Sequence, residues 1–106
     1  MALHFNQRTP KEIAAQYAAV LSDSFAVKQV FLFGSAAKGN AQEDSDIDIA
    51  VSAENFSGDK VEDMFQLMKL RRNVDIRIEP HPFPANDFTE ANPFAAEIIK
   101  TGIRIM

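Results

Sequence analysis

An α/β fold, a small mixed β-sheet with helices packed on one face, is predicted for this chain of 106 residues from three observations. Runs rich in β-branched and aromatic residues, such as Val27 to Phe33, read as strands. Segments with apolar residues at helical spacing, such as Ile13 to Leu21, alternate with them. Hydrophobic residues make up 46% and charged residues 25%, which is the range of packed globular domains rather than disordered chains. The length suits one domain over residues 1–106, with no repeat or linker.

Thr9-Pro10-Lys11-Glu12 has the form of a helix start, with Thr9 as N-cap and Glu12 closing a capping box. Ile13, Tyr17, Val20 and Leu21 mark the inner side of that helix. Val27 to Phe33 is the first strand, and Ser35 to Gly39 has room for one helical turn. Gly39 to Asp44 is loop-like. Asp46 to Ser52 alternates, with Asp46, Asp48, Ala50 and Ser52 on one side and Ile47, Ile49 and Val51 on the other. After a turn at Gly58, a helix runs to about Arg72 with Val61, Met64, Phe65 and Met68 expected on its core face. Val74 to Glu79 is expected as the third strand, with Asp75, Arg77 and Glu79 on one face. Pro80, Pro82 and Pro84 force an extended segment, and Pro80-His81-Pro82 reads as an exposed loop. Pro93 to Lys100 is a last helix ending at Gly102, and Ile103 to Ile105 a short last strand.

Composition narrows the function. The chain has no cysteine, which removes disulfides and thiolate metal sites and suits the cytoplasm. Residues 1–8 lack a signal-type apolar core, and no apolar run is long enough to span a membrane. A net charge of −4 disfavours non-specific nucleic-acid binding, which depends on neutralising phosphates.

The informative stretch is Gly34 to Asp48. A Gly34-Ser35 turn closes the first strand, where a glycine lets backbone amides approach a phosphate. Asp46 and Asp48 lie two apart, so on a strand they point to the same side. Their backbones are then roughly 6.6 Å apart, and two unit charges at that distance repel by roughly 2–3 kcal/mol at an effective dielectric near 20. Asp75, on another strand, supplies a third carboxylate. An all-oxygen cluster of this kind suits Mg²⁺ or Mn²⁺. Asp44, Asp46 and Asp48 match the start of a calcium loop, but Ile49 stands where that loop needs glycine. Gly39 is followed by Asn40, which excludes a P-loop. Arg77 reads as a surface ion-pair partner and Lys38 as a solvated loop lysine, although either could reach a phosphate. His4 and His81 are isolated, and Phe83, Phe88 and Phe94 read as packing for the last helix, with a partner-binding patch as the alternative.

Gly34-Ser35, Asp46-Ile47-Asp48 and Val74-Asp75-Ile76 resemble the signature of the nucleotidyltransferases of the DNA polymerase β type, and the chain looks most like their small stand-alone branch, the minimal nucleotidyltransferases. The resemblance spans about Ile13 to Ile105. It implies a polymerase β-like fold and transfer of a nucleoside monophosphate, with ATP favoured, to a hydroxyl. Gly34 and Ser35 would bind the nucleotide phosphates, and Asp46, Asp48 and Asp75 would hold two Mg²⁺ ions and act in catalysis. It further implies an antitoxin role beside a HEPN-domain toxin whose tyrosine is the acceptor. Two alternatives stand: transfer to a small molecule such as an aminoglycoside, and a non-catalytic antitoxin that acts by binding alone.

Overall fold

The computed structural model describes residues 8–39 and 45–106. Their elements are α1 (Pro10–Ser22), β1 (Val27–Phe33), β2 (Ile47–Ala53), α2 (Lys60–Leu70), β3 (Ile78–Pro84), α3 (Pro93–Thr101) and β4 (Ile103–Arg104). The strands form one mixed sheet in the order β3-β2-β1-β4. β1 is antiparallel to β2 and β4, whereas β2 and β3 are parallel. No helix among the described residues is long and apolar enough to cross a membrane. His4 and most of the loop expected over residues 39–44 lie outside the described residues.

α1 begins as its sequence dictates. The Thr9 hydroxyl accepts from the Glu12 N–H at 3.1 Å, and the Glu12 carboxylate accepts from the Thr9 N–H at 2.7 Å. Ile13, Tyr17 and Leu21 are fully buried. Burial pushes the Tyr17 phenol far above its ordinary value against the opposing charge of Arg71, so it remains a neutral donor. Its hydroxyl donates to the Leu67 carbonyl at 2.6 Å and ties α1 to α2.

The sheet is covered on both faces. Val30, Leu32, Ile47, Ile49, Val51 and Ile78 pack under α1 and Leu67 of α2. On the opposite face, Phe31, Ala50, Phe83 and Phe88 pack with Ala95 and Ile98 of α3. Helices therefore do not share a single face as expected. Three phenylalanines on the second face need cover, and α3 supplies it.

α2 is rotated relative to its expected orientation. Leu67 and the N-terminal Asp63 point inward, while Val61, Phe65 and Met68 are exposed. The cause lies at the helix start. Asp59 caps it by accepting from the Val61 and Glu62 N–H groups, and Asp63 Oδ1 accepts from both the N–H and the hydroxyl of Ser57. Those bonds hold the Asp63 side against the body of the protein.

The third strand lies later than expected, at Ile78–Pro84 rather than 74–79. Asp75 prevents an earlier start. Its Oδ1 accepts from the Arg77 N–H at 2.9 Å and its carbonyl accepts from the Ile78 N–H at 3.2 Å, so the chain turns there. The segment with alternating prolines is itself the strand. The Ile47 N–H donates to the Arg77 carbonyl, so the backbone polar groups of Glu79, His81 and Phe83 face β2. Pro80, Pro82 and Pro84 put their ring nitrogens on the outer side, where no ladder bond is lost.

At the other end of the site, β1 ends in a single 3₁₀ turn, Gly34–Ala36. Gly34 has φ of +71°, and a Cβ there would stand 2.6 Å from Asp48 Oδ2. Both the backbone and the neighbouring carboxylate therefore require glycine.

Two stability predictions follow from these contacts. Gly34→Ala costs about 1–2 kcal/mol for the left-handed backbone alone, plus the cost of displacing Asp48. In an Asp48→Ala background the same change costs less, and a double-mutant cycle by urea denaturation measures the difference. For Asp75→Asn, a loss of about 2–3 kcal/mol is expected at pH 7, because Asp75 is held by charged donors in a nearly closed site. Arg77, with help from Arg8, holds its carboxyl below the usual range despite burial. Its contribution is thus complete above about pH 4 and is lost as the pH falls through the depressed value. The gap between wild type and Asp75→Asn, followed by denaturation from pH 7 to pH 3, stays constant and then narrows; a gap that widens in acid contradicts this assignment.

Candidate active site

Strand register sets the site. Phe33 of β1 pairs with Asp48 of β2, and Asp48 pairs with Glu79 of β3, so the three side chains form a row across one face. Asp46 lies just ahead of β2, with its carboxyl group close enough to Glu79 to act on its ionisation. This proximity, burial and the charges of Asp46 and Asp48 raise Glu79 above the usual carboxylate range, while His81 opposes the shift. Among the described residues no ready-made cluster of three His, Cys, Asp or Glu ligands is assembled, so the convergence is pairwise. The donors are all oxygen, and Mg²⁺ is typically held by one or two carboxylates completed by water and phosphate oxygens, so Asp46, Asp48 and Glu79 fit that ion.

Asp75 is not part of this convergence. It is buried in the turn ahead of β3, where Arg77 Nε and Nη2 grip its two oxygens at 3.0 and 2.8 Å and Arg8 Nη2 lies 3.5 Å away. The charges that act on it are those of Arg77 and Arg8. A carboxylate committed to a bidentate guanidinium is a poor ligand for a further cation. The pair is a buried clamp rather than the surface ion pair expected from sequence.

His81 lies in β3 and not in an exposed loop. Its Nε2–H donates to Asp48 Oδ1 at 3.2 Å. The ring meets Phe33 and Phe94 edge to face, with centroids at 4.9 and 5.9 Å. Asp48 therefore has His81 on one oxygen and the Gly34 backbone close to the other. Ser35 and Lys38 are exposed on the adjoining turn. Glu79 and His81 had one readable signal: they alternate with prolines, and a proline-alternated segment that can still pair through its other residues is an edge strand.

Phe94 also borders a cleft of about 420 Å³, walled by Phe83, Pro82 and Pro84 and rimmed by Lys60 and Asn92.

A family model described as "Polymerase beta, Nucleotidyltransferase" matches residues 15–106. A Methanocaldococcus jannaschii protein named as a candidate protein adenylyltransferase is 49% identical over 41 residues, which cover 39% of this chain and 41% of that relative. This chain thus spans about two fifths of the curated relative it matches. The crystal structure of a candidate nucleotidyltransferase from Sulfolobus solfataricus aligns with a TM-score of 0.62 at 20% identity, covering 89% of this chain and 77% of that one. A chain from a toxin–antitoxin structure with AMP-PNP aligns with a TM-score of 0.64 at 22% identity, covering 87% of this chain and 72% of that one. These two structures share the fold, and the family model extends over nearly all of the sheet and helices described above. The chain belongs to the polymerase β nucleotidyltransferase family.

Proposed function

We propose that this protein is a Mg²⁺-dependent nucleotidyltransferase that moves AMP from ATP to a hydroxyl of a protein partner. The observation that carries the reading is the placement of Asp46 and Asp48 opposite Glu79, with the Gly34 turn against Asp48. Asp46 and Asp48 hold the metal, and Glu79 takes the third-carboxylate role expected of Asp75. Gly34 and Ser35 receive the triphosphate, because the turn has no side chain at Gly34 and an exposed hydroxyl at Ser35. Bound Mg²⁺ supplies charge stabilisation for the attacking and leaving oxygens. The acceptor oxygen bonds to the α-phosphorus, the bond from that phosphorus to the bridging oxygen breaks, and pyrophosphate leaves. The acceptor proton passes to one of the three carboxylates. His81 keeps Asp48 oriented through its 3.2 Å bond.

A protein acceptor is supported by the name of the Methanocaldococcus relative, and a toxin partner by the toxin–antitoxin neighbour with AMP-PNP. Within the family resemblance, that partner is a HEPN-domain toxin and the acceptor one of its tyrosines. The Phe83 and Phe94 walls of the neighbouring cleft suit an aromatic acceptor. With ATP as donor, the reaction belongs in the cytoplasm.

The test is incubation with Mg²⁺ and each α-labelled NTP, with a HEPN-domain partner, with an aminoglycoside panel and with neither. Label from ATP is expected on the partner and vanishes with chelator. Asp48→Asn and Glu79→Gln are expected to lower transfer by at least two orders of magnitude while remaining folded. Asp75→Asn is expected to lower stability and keep transfer per folded molecule within about tenfold. Near-normal transfer by Asp48→Asn refutes the enzyme reading, and partner neutralisation without any labelling assigns the chain to action by binding alone.

A further inference from the structure

The outward side of α2 is more apolar than a solvated helix needs. Val61 is 78% exposed, Phe65 58%, Met68 37% and, in the turn beyond, Ile76 73%. On a helix of 3.6 residues per turn, Val61, Phe65, Met68 and Lys69 fall within an arc of about 100°, and Arg72 follows in the 3₁₀ turn Arg71–Asn73. That arc is opposite Leu67, which faces the core. The spacing of Val61, Phe65 and Met68 is the seam along which one helix packs on another, and it is roughly 10 Å long. Phe65, Met68 and Ile76 line a shallow cleft of about 230 Å³ together with Lys69, Arg71 and Arg72.

The charge there runs against that of the whole protein. The chain carries −4 overall, yet the cations rimming this cleft are Lys69, Arg71 and Arg72, and no acidic residue among the described ones lines it. Lys69 Nζ sits 5.2 Å above the Phe65 ring, and Arg71 also donates to the Ile78 carbonyl at 2.8 Å. The arginine and lysine stems thus extend the apolar floor and hold positive charge along its border. A second copy of this chain docked through the same patch would set these cations against each other, which is unfavourable.

We propose that this face of α2, with Ile76, docks an acidic amphipathic helix from a partner protein. Apolar residues of that helix seat on Phe65, Met68 and Ile76, and its flanking carboxylates meet Lys69 and Arg72. The face lies on the side of the sheet away from Asp48 and Glu79, so docking leaves the row of carboxylates open and is independent of any reaction there.

Two synthetic amphipathic peptides test this, each with leucine at the seam positions and flanked by glutamate in one and by lysine in the other. Fluorescence anisotropy on the full chain is expected to show the glutamate peptide binding at least about tenfold more tightly. Phe65→Ser or Ile76→Ser is expected to abolish that binding with the melting temperature unchanged, because both side chains are on the surface. Lys69→Glu with Arg72→Glu is expected to reverse the preference. Equal binding of the two peptides, or binding of neither, overturns the proposal. So does sedimentation showing a wild-type dimer that Phe65→Ser dissociates, which assigns the face to a second copy. Binding that emerges only after deletion of residues 1–7 assigns it to the chain's own N-terminal segment and overturns the proposal as well.

Discussion

Parallel pairing of β2 with β3 is the constraint on which the chemistry of this molecule depends. Because Asp48 pairs with Glu79, carboxyl groups from two strands stand side by side, and Asp46 joins them from the strand entry. Like charges so placed repel, and the surrounding structure has to hold them in place. The packed layer beneath does so. Ile47, Ile49 and Ile78 are buried against α1 and α2, so a shift of one residue in register would bring these isoleucines to the polar face. Hydrophobic burial on one side of the sheet thus imposes electrostatic crowding on the other.

The turn at Gly34 and the clamp at Asp75 mark the two ends of that arrangement. Gly34 lets the chain reverse in contact with Asp48, and any larger residue would meet the carboxylate. Asp75 spends its charge on Arg77 and Arg8, which stops the chain from entering the sheet until Ile78. That delay decides which acidic residue lands beside Asp48. Had pairing begun at Val74, Asp75 would have been the neighbour expected from the sequence.

Much of the frame was legible from local chemistry. The Thr9–Glu12 cap, the β-branched first strand and the Asp46–Ser52 alternation depend on residues near one another, and each forms within a residue or so of its expected place. The Gly34-Ser35 turn and Asp-x-Asp were legible for the same reason. What stayed hidden depends on distant contacts. The rotation of α2 depends on Ser57 capturing Asp63, and an apolar count over Val61, Phe65 and Met68 points the other way. The placement of α3 on the second face depends on Phe31 of β1 and Phe83 of β3 both reaching Phe88. Glu79 and His81 were obscured by three prolines that look like a loop until the pairing partner is known.

Those three prolines have a wider consequence. β3 is an outer strand, and such a margin ordinarily offers donors to any extended peptide that drifts alongside. Here three of the four outward positions are prolines, and the Ile78 N–H is already bonded to the Asp75 carbonyl, so the margin offers no donor ladder to another chain. The sheet is thereby protected from fibrous self-stacking along this side. Along this margin, recognition is left to side chains and not to backbone.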